Sequence, residues 1–231
     1  MPCRLAASLP LLEAQIQGCR LCPRLVAWRE EVARVKRRAY RDQVYWGRAV
    51  PGFGDPAARI VLVGLAPGAH GSNRTGRMFT GDRSGDFLYA ALHRAGLASS
   101  PTSRERGDGL SLRGAFLTSA CHCAPPANRV LEEELARCAP FLDAELALLG
   151  RSRVLVGLGA VGWGAILAHL ERAGVPVPRP RPRFAHGAEW AAPGGPALLA
   201  TYHPSQQNTQ TGRLTAAMID AVLRRALELA G

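Results

Sequence analysis

The amino-acid sequence predicts an α/β fold, namely a three-layer α/β/α sandwich around a central, mostly parallel sheet of four strands. Short apolar runs of the buried-strand type alternate along the chain with segments of helical spacing, which is typical of parallel strands joined by crossover helices. The length of 231 residues suits one large domain, and a hydrophobic fraction of 47% is enough to form a sizeable core. We therefore expect a single domain over residues 1–231, which begins with helices over about residues 1–45.

The order of the elements follows from the same alternation of patterns. Strands are expected at 59–65, 115–120, 153–158 and 197–202, with a possible further strand near 184–190. Helices are expected at 8–17, 24–38, 84–95, 130–149, 160–172 and 213–230. The segment 98–113 is polar and rich in Gly, Ser and Arg, and is therefore predicted to be a mobile connection.

The unusual residues of this chain follow the predicted strands. Ligands of open α/β sheets bind beyond the carboxyl ends of the strands, so these are the segments to inspect. They comprise residues 64–81, 123–129, 157–164 and 203–213, and three of the four are rich in Gly, Pro, Asn and His. One edge of the sheet is thus expected to collect nearly all of the candidate chemistry.

The charge of the chain favours a polyanionic partner. Lys and Arg together number 29 against 18 Asp and Glu, which gives a formal net charge of +11. Such an excess attracts nucleic acid, although a solvated surface in an Arg-rich proteome is the alternative interpretation. Lys36 is the only lysine and lies in a strongly cationic stretch, so a desolvated amine for Schiff-base chemistry is not expected.

The sequence has no run of about 18 apolar residues, so a membrane span is not expected. Residues 1–17 lack the long apolar stretch of a secretory signal. A cytoplasmic protein is therefore the expectation.

Six cysteines are present, and a cytosolic chain seldom uses them as a disulfide framework. Cys19 and Cys22 form a C-x-x-C pair, the spacing that lets two thiolates face one metal centre. Cys123 and Cys138 are separated by a turn and most of a helix, and are able to complete a set of four. Four thiolates suit a structural zinc or an iron–sulfur cluster, and the spacing alone does not separate the two. A redox-active pair is a third interpretation, which the absence of a predicted strand before Cys19 disfavours.

A glycine pattern, G-x-G-x-x-G over residues 157–162, follows a predicted strand and fits the dinucleotide-binding fingerprint. However, no acidic residue lies about 20 positions further on. We therefore favour tight strand-to-helix packing as the use of these glycines, and no nicotinamide cofactor is expected. A nucleotide-dependent oxidoreductase remains an alternative class.

Two loops carry the more specific signals. Residues 64–81 are rich in glycines that allow close backbone approach to a ligand, and they contain Phe79, whose ring is able to stack on a base or to anchor the loop. In the second loop His203 stands at a strand end, braced by Pro204, with Asn208 nearby. The tripeptide Thr-Gly-Arg occurs in both loops, at 75–77 and 211–213, and two such loops are suited to grip one phosphodiester backbone.

Three segments give the chain a resemblance to a known family. They read GLAPGAHGSN at 64–73, CAPPANR at 123–129 with CAPFL at 138–142, and HPS at 203–205 with Asn208. With these segments the chain resembles the uracil-DNA glycosylase superfamily, specifically the iron–sulfur branch called family 5 or type b. The resemblance runs from about Cys19 to the C-terminus and so covers nearly the whole chain.

The resemblance implies a [4Fe–4S] cluster rather than zinc. Its ligands would be Cys19, Cys22, Cys123 and Cys138, and it would tie the N-terminal helices to the rest of the domain. Cys121 lies outside the family pattern, and Cys3 has no assigned role.

The resemblance also implies the reaction, which is hydrolysis of the N-glycosidic bond to uracil in DNA, leaving an abasic site. The implied catalytic side chains are those of His203, Asn128 and Asn208, where His203 donates to the departing base and Asn128 orients water or base. Residues expected to line the base site are Gly64, Ala66, Pro67, Gly68, Ala69 and Phe79. Residues expected to contact DNA phosphates are Arg74, Arg77 and Arg213.

The first of these motifs has no carboxylate, since Leu65 and Ala66 stand where other branches place an acidic side chain. This departure predicts a slower, more tolerant enzyme, and the small Gly68 and Ala69 leave room for deaminated purines such as hypoxanthine. Without a placed lysine the enzyme is expected to be monofunctional, and one asymmetric substrate suggests a monomer. The alternative is a non-catalytic iron–sulfur protein that binds damaged DNA.

Overall fold

The computed structural model describes residues 7–191 and 193–231, so Cys3 lies outside the described residues. The helices are α1 Leu9–Gln17, α2 Pro23–Val35, α3 Ser72–Thr75, α4 Arg83–Arg94, α5 Glu132–Leu148, α6 Gly159–Arg172, α7 Gln206–Gln210 and α8 Ala216–Ala230. The strands are β1 Phe53–Gly54, β2 Ile60–Gly64, β3 Ala115–Ser119, β4 Val154–Leu158, β5 Glu189–Ala191 and β6 Ala197–Thr201. Each of the six expected helices and four expected strands is therefore present, with ends that differ by a few residues.

The strands form one mixed sheet in the order β1-β3-β2-β4-β6-β5. The four inner strands are parallel, and their register places Leu62 of β2 beside Leu117 of β3 and Val156 of β4. The outer strands β1 and β5 pair antiparallel to β3 and β6. The predicted parallel core of four strands is confirmed, and the sheet has two edge strands in addition. Strand β5 overlaps the end of the segment 184–190 where a further strand was expected, whereas β1 was not predicted. The two edge strands span only two and three residues, which is too short for a periodic pattern.

Apolar residues cover both faces of the sheet, which confirms the three-layer sandwich. On one face β2 residues such as Leu62 pack with Leu88 of α4 and Leu223 of α8. On the other face Val63 packs with Trp163 of α6 and with apolar residues of α5. Burial on both faces explains why the inner strands are continuous apolar runs rather than alternating ones.

The N-terminal helices sit beside this sandwich rather than inside it. Helix α1 packs against α5, and α2 contacts α3 in the loop that follows β2. A third apolar cluster joins Leu12 and Ile16 of α1, Leu25 of α2 and Phe141 of α5, and it includes buried cysteines. The N-terminal segment is thus attached to the domain at the same place where the cysteines gather.

The glycines at 157–162 pack α6 onto the sheet. A Cβ atom on Gly157 would lie 2.7 Å from the backbone nitrogen of Trp163, and one on Gly162 would lie 2.1 Å from the carbonyl oxygen of Val63. Neither position has space for a side chain. The preferred interpretation of this motif, close strand-to-helix packing, is confirmed.

The segment 98–113 is fastened to the domain, and the expectation of a mobile connection was wrong. An antiparallel bridge joins Ala98 to Leu112, and Leu110 and Leu112 are buried. The carboxylate of Asp108 forms an ion pair with the guanidinium of Arg77 at 2.7 Å. Composition did not reveal this anchoring, because the contacts come from residues distant in sequence. Within the described part of the chain, no helix is both long and apolar enough to cross a membrane.

Candidate active site

The loop after β2 holds Phe79 against the end of that strand. A Cβ on Gly64 would lie 2.8 Å from Cζ of the Phe79 ring, so the ring occupies the space that this glycine leaves. Phe79 has a φ of 52°, which is rare for a bulky residue and requires support from its surroundings. That support includes Gly85, where a Cβ would lie 1.8 Å from the Phe79 carbonyl oxygen. The fold therefore fixes this aromatic ring at the carboxyl edge of the sheet, as the site hypothesis requires.

His203 lies two residues beyond β6 and faces Phe79. The centroids of the two rings are 6.1 Å apart, with an interplanar angle of 36°. Gly159, with a φ of 88°, makes room for the histidine, because a Cβ there would lie 3.1 Å from Cβ of His203. Desolvation by burial lowers the pKa of His203 from 6.5 to about 4, so the imidazole is neutral at pH 7. A neutral ring carries one N–H donor and one acceptor nitrogen.

The side chain of Asn208 contacts the backbone of His203. Its side-chain Nδ2 donates a hydrogen bond of 2.9 Å to the backbone oxygen of His203. The hydroxyl of Ser205 caps α7 by accepting from the backbone nitrogen of Asn208. In this geometry Asn208 is a positioning residue for the imidazole.

Asp82 is a residue that the sequence reasoning missed. It caps α4, since Oδ1 accepts a 3.0 Å hydrogen bond from the backbone nitrogen of Gly85. The other oxygen, Oδ2, lies against the glycine-rich loop, because a Cβ on Gly68 would be 2.8 Å from it and one on Gly71 only 1.9 Å. Burial raises the pKa of this carboxyl above its usual value of 3.8. The tertiary structure thus brings a carboxylate to a motif that has none of its own.

A sequence signal for Asp82 did exist. It is the only acidic residue between positions 56 and 85, and Asp is a favoured N-cap residue at the start of a helix. Its carboxylate fills the side of the loop next to Gly68, which the sequence analysis expected to be roomy. Ala66 and Ala69 are half-buried, and Pro67 is buried.

Two of the three expected phosphate ligands point into the protein, which is contrary to the prediction. Arg74 is buried, and it donates to the backbone oxygens of His70 and Gly81. Arg77 is only 4% exposed, because it is held by its ion pair with Asp108 and by the hydroxyl of Ser103. A guanidinium whose donors are used inside the fold is not available to a phosphate. These two arginines therefore brace the loops of the site.

The remaining candidates lie at the surface. Arg213 is exposed, and its guanidinium carbon lies 4.7 Å from the centroid of the Tyr202 ring, next to His203 in the chain. Asn128 is exposed in the turn after β3 and has a φ of 56°. No hydrogen bond joins its carboxamide to another described residue. The assigned roles of Asn128 and Arg213 stay predictions.

A single narrow cavity gathers the cysteines. The four predicted ligands, Cys19, Cys22, Cys123 and Cys138, line it together with Cys121. Cys19 follows the turn that ends α1, Cys22 is the N-cap of α2, Cys123 follows β3, and Cys138 lies in α5, so three separate parts of the chain converge there. All five of these cysteines are free of disulfide bonds.

The residues of this cavity fit an iron–sulfur cluster in two respects. The predicted ligands all supply sulfur, while His122, which also lines the cavity, directs Nδ1 to the backbone oxygen of Val50. The buried guanidinium of Arg29 donates to Sγ of Cys123 at 2.9 Å, where it faces the anionic charge that thiolate ligands would carry. Among residues 7–191 and 193–231, no three His, Cys, Asp or Glu side chains are close enough to hold a single metal ion.

Comparison with known proteins identifies the family of this chain. The family model described as the uracil DNA glycosylase superfamily matches residues 51–227. A type-5 uracil-DNA glycosylase of Thermus thermophilus is 57% identical, over 94% of this chain and 95% of its own. One of Mycobacterium leprae is 54% identical over 98% and 97%, and one of Pyrobaculum aerophilum is 45% identical over 94% and 91%. The chain therefore belongs to the uracil-DNA glycosylase superfamily, in its type-5 branch.

Proposed function

We propose that this protein is a DNA-repair glycosylase that hydrolyses the N-glycosidic bond of uracil in DNA and leaves an abasic site. The observation that carries the proposal is the imidazole of His203 facing the Phe79 ring, 6.1 Å away, at the carboxyl edge of the sheet, where burial lowers the pKa of His203 and favours its neutral form. Membership of the superfamily and the relatives described as type-5 uracil-DNA glycosylases support it. The net charge of +11 suits a polyanionic substrate.

The reaction requires that the base leave the duplex first. Flipping costs a few kcal/mol and is easiest for a mismatched base such as uracil opposite guanine. The ring of Phe79 then offers a face for the extruded base to stack on, and its position is fixed in advance by Gly64 and Gly85.

Bond cleavage places negative charge on the departing base and positive charge on the sugar. His203 supplies an N–H donor to a carbonyl oxygen of the base, and Asn208 fixes the backbone from which it projects. A donor fixed before the charge develops contributes a factor of about 10² to 10³ in rate. Because the imidazole is neutral, it acts as an electrostatic donor and does not need to transfer its proton.

The attacking water must approach the sugar from the face opposite the departing base. Asp82 is our candidate to orient and polarise this water, because its Oδ2 lies on the glycine loop and its raised pKa makes it a better base. Asn128 is a second candidate to orient the water, since it lies at the same edge of the sheet. This assignment replaces the expectation that the site works without a carboxylate.

Substrate range and product are part of the proposal. The small side chains of Ala66 and Ala69 leave no aromatic wall on that part of the loop, which favours hypoxanthine as an additional substrate. The ammonium group of Lys36, the only lysine, donates a hydrogen bond of 3.1 Å to the backbone oxygen of Arg41. A Schiff base at the sugar is therefore disfavoured, and the enzyme is expected not to cut the strand. A monomer suffices for this chemistry.

The cysteine cavity is proposed to hold a [4Fe–4S] cluster through Cys19, Cys22, Cys123 and Cys138. The cluster would join the N-terminal helices to the loop after β3 as a structural element. Its presence is tested by iron and acid-labile sulfide analysis of the protein purified without oxygen. Iron below one atom per chain would refute this part of the proposal.

The experiment that tests the function uses duplexes with uracil, hypoxanthine or thymine opposite guanine. Incubation with excess enzyme, followed by alkaline cleavage of abasic sites, is expected to show product from uracil and hypoxanthine. His203→Ala should lose turnover but retain duplex binding. His93→Ala is the matched control, because His93 is exposed on α4 and is not part of the cleft. Binding without product from any duplex would instead favour a damage-binding protein.

A further inference from the structure

Arg29 is a buried cation without a carboxylate partner. It lies on α2, is 2% exposed, and no Asp or Glu of the described residues forms an ion pair with it. Its Nη1 donates to Sγ of Cys123 at 2.9 Å, and its Nη2 donates to the backbone oxygen of Cys19 at 2.8 Å. Nε has no hydrogen-bond partner among the described residues. The guanidinium is therefore directed entirely at two residues of the cysteine cavity.

This arrangement is unfavourable unless an anion is present. An unpaired buried charge is among the most destabilising features of a folded protein, and burial usually requires an opposite charge nearby. The other arginine of α2 that reaches across the structure, Arg24, has such a partner in Glu134. Among the described residues, Sγ of Cys123 is the one hydrogen-bond partner of the Arg29 guanidinium that is able to carry negative charge, whereas the exposed Glu30 acts on it only through space.

The same residue also contacts the active-site loop. Its backbone oxygen accepts a 3.2 Å hydrogen bond from Nδ2 of Asn73, which is fully buried and belongs to the loop after β2. Nδ2 of Asn73 also lies 3.4 Å from the backbone oxygen of Ala69. Arg29 thus stands between the cysteine cavity and the loop that carries Phe79.

We infer that Arg29 is a positioning residue that acts as the counter-cation of the cluster: it supports the sulfur of Cys123 as a ligand and favours addition of an electron to the bound cluster. This inference rests on the proposed cluster. A four-iron cluster with four thiolates carries net negative charge, which grows by one on one-electron reduction. A fixed positive charge hydrogen-bonded to one ligand stabilises the reduced form more than the oxidised form, and so raises the reduction potential.

The test compares the purified holoprotein with Arg29→Gln, which removes the charge but keeps amide donors, and with Arg29→Lys, which keeps the charge. Arg34→Gln is the matched control, because Arg34 lies on the same helix, is exposed and pairs only with Glu31. Each protein is analysed for iron and sulfide per chain, and its cluster is titrated with dithionite while the visible absorption and the paramagnetic resonance signal are followed.

We expect the midpoint potential of Arg29→Gln to be more negative than that of the wild type, and that of Arg29→Lys to lie between the two. Arg34→Gln should match the wild type in potential and iron content. If Arg29→Gln does not fold, the shift of Arg29→Lys relative to Arg34→Gln provides the same test. An unchanged potential in iron-loaded Arg29→Gln would overturn the inference.

The experiment distinguishes failure of the proposed glycosylase activity from failure of the proposal about Arg29. Wild-type protein that holds a cluster but releases no uracil refutes the glycosylase assignment and leaves the potential measurement valid. Wild-type protein without iron overturns the cluster proposal and this inference together.

Discussion

The depressed pKa of His203 makes a prediction about how the protein responds to acid. The unfolded chain binds a proton at this residue with a pKa near 6.5, whereas the folded protein does so only near pH 4. Between these two values the unfolded state holds more protons, so the free energy of unfolding rises with pH. The stabilisation is complete above pH 6.5 and is lost as the pH falls toward 4.

The size of this loss of stability follows from the two pKa values of His203. The interval from 6.5 to about 4 corresponds to about 3.4 kcal/mol at 1.36 kcal/mol for each tenfold change. Because the ring is partly exposed, solvent screening reduces this to about 2 kcal/mol. The wild type should therefore lose about 2 kcal/mol more stability between pH 7 and pH 4.5 than His203→Gln, which has nothing to titrate there.

Two assays check the reasoning. Denaturant unfolding of the wild type and of His203→Gln at both pH values gives the difference directly, since the other histidines titrate alike in both proteins. Carbon-detected nuclear magnetic resonance of the histidine rings should show one ring that stays neutral well below pH 6 and is missing in His203→Gln. Titration of that ring near pH 6.5, with equal acid sensitivity of both proteins, would refute a desolvated neutral donor.

Three further predictions concern the neighbouring residues. Asp82→Asn should lower the rate of uracil release by a factor of about 10² to 10⁴. Its melting temperature should change little, because Asn also caps helices. A normal rate in single-turnover kinetics would exclude Asp82 from water activation. Arg77→Ala should destabilise the fold by about 1 to 3 kcal/mol, because it removes a buried guanidinium that donates to Thr80, Ser103 and Asp108. Arg213→Ala should instead weaken DNA binding across sequences and reduce its salt dependence by about one phosphate contact. Denaturation and salt-dependent binding curves separate the two effects, and the opposite pattern would restore Arg77 as a phosphate ligand. Gly64→Ala should displace the Phe79 ring and reduce uracil release with little loss of duplex binding. Kinetics and duplex binding are both measured, and a normal rate of uracil release would contradict this role of Phe79.

Much of the fold was readable because its signals are local. The inner strands are buried on both faces, so they appear as apolar runs such as Ile60–Gly64, and the helices between them show helical spacing of apolar residues, with a side-chain N-cap at the start of α4. Parallel pairing then follows from the alternation, and it places the loop ends at one edge of the sheet. The positions of Phe79 and His203 in the site, and the gathering of the cysteines, depend mainly on this topology.

Residues whose roles depend on distant partners were not readable in this way. The tripeptide Thr-Gly-Arg occurs twice, yet Arg77 is buried against Asp108, which is 31 positions away, while Arg213 is exposed beside Tyr202. Nothing within either tripeptide distinguishes the two environments.

By itself, the sequence determined the alternation of strands and helices, the sheet edge at which ligands bind, and the residue types available there. Only the tertiary structure decided which charged groups meet. It placed the carboxylate of Asp82 on Gly68, and it brought Arg29 to Cys123 across 94 positions. The physical reason is that local periodicity reports which face of an element is buried, whereas the pairing of charges depends on the docking of elements that are far apart in the chain.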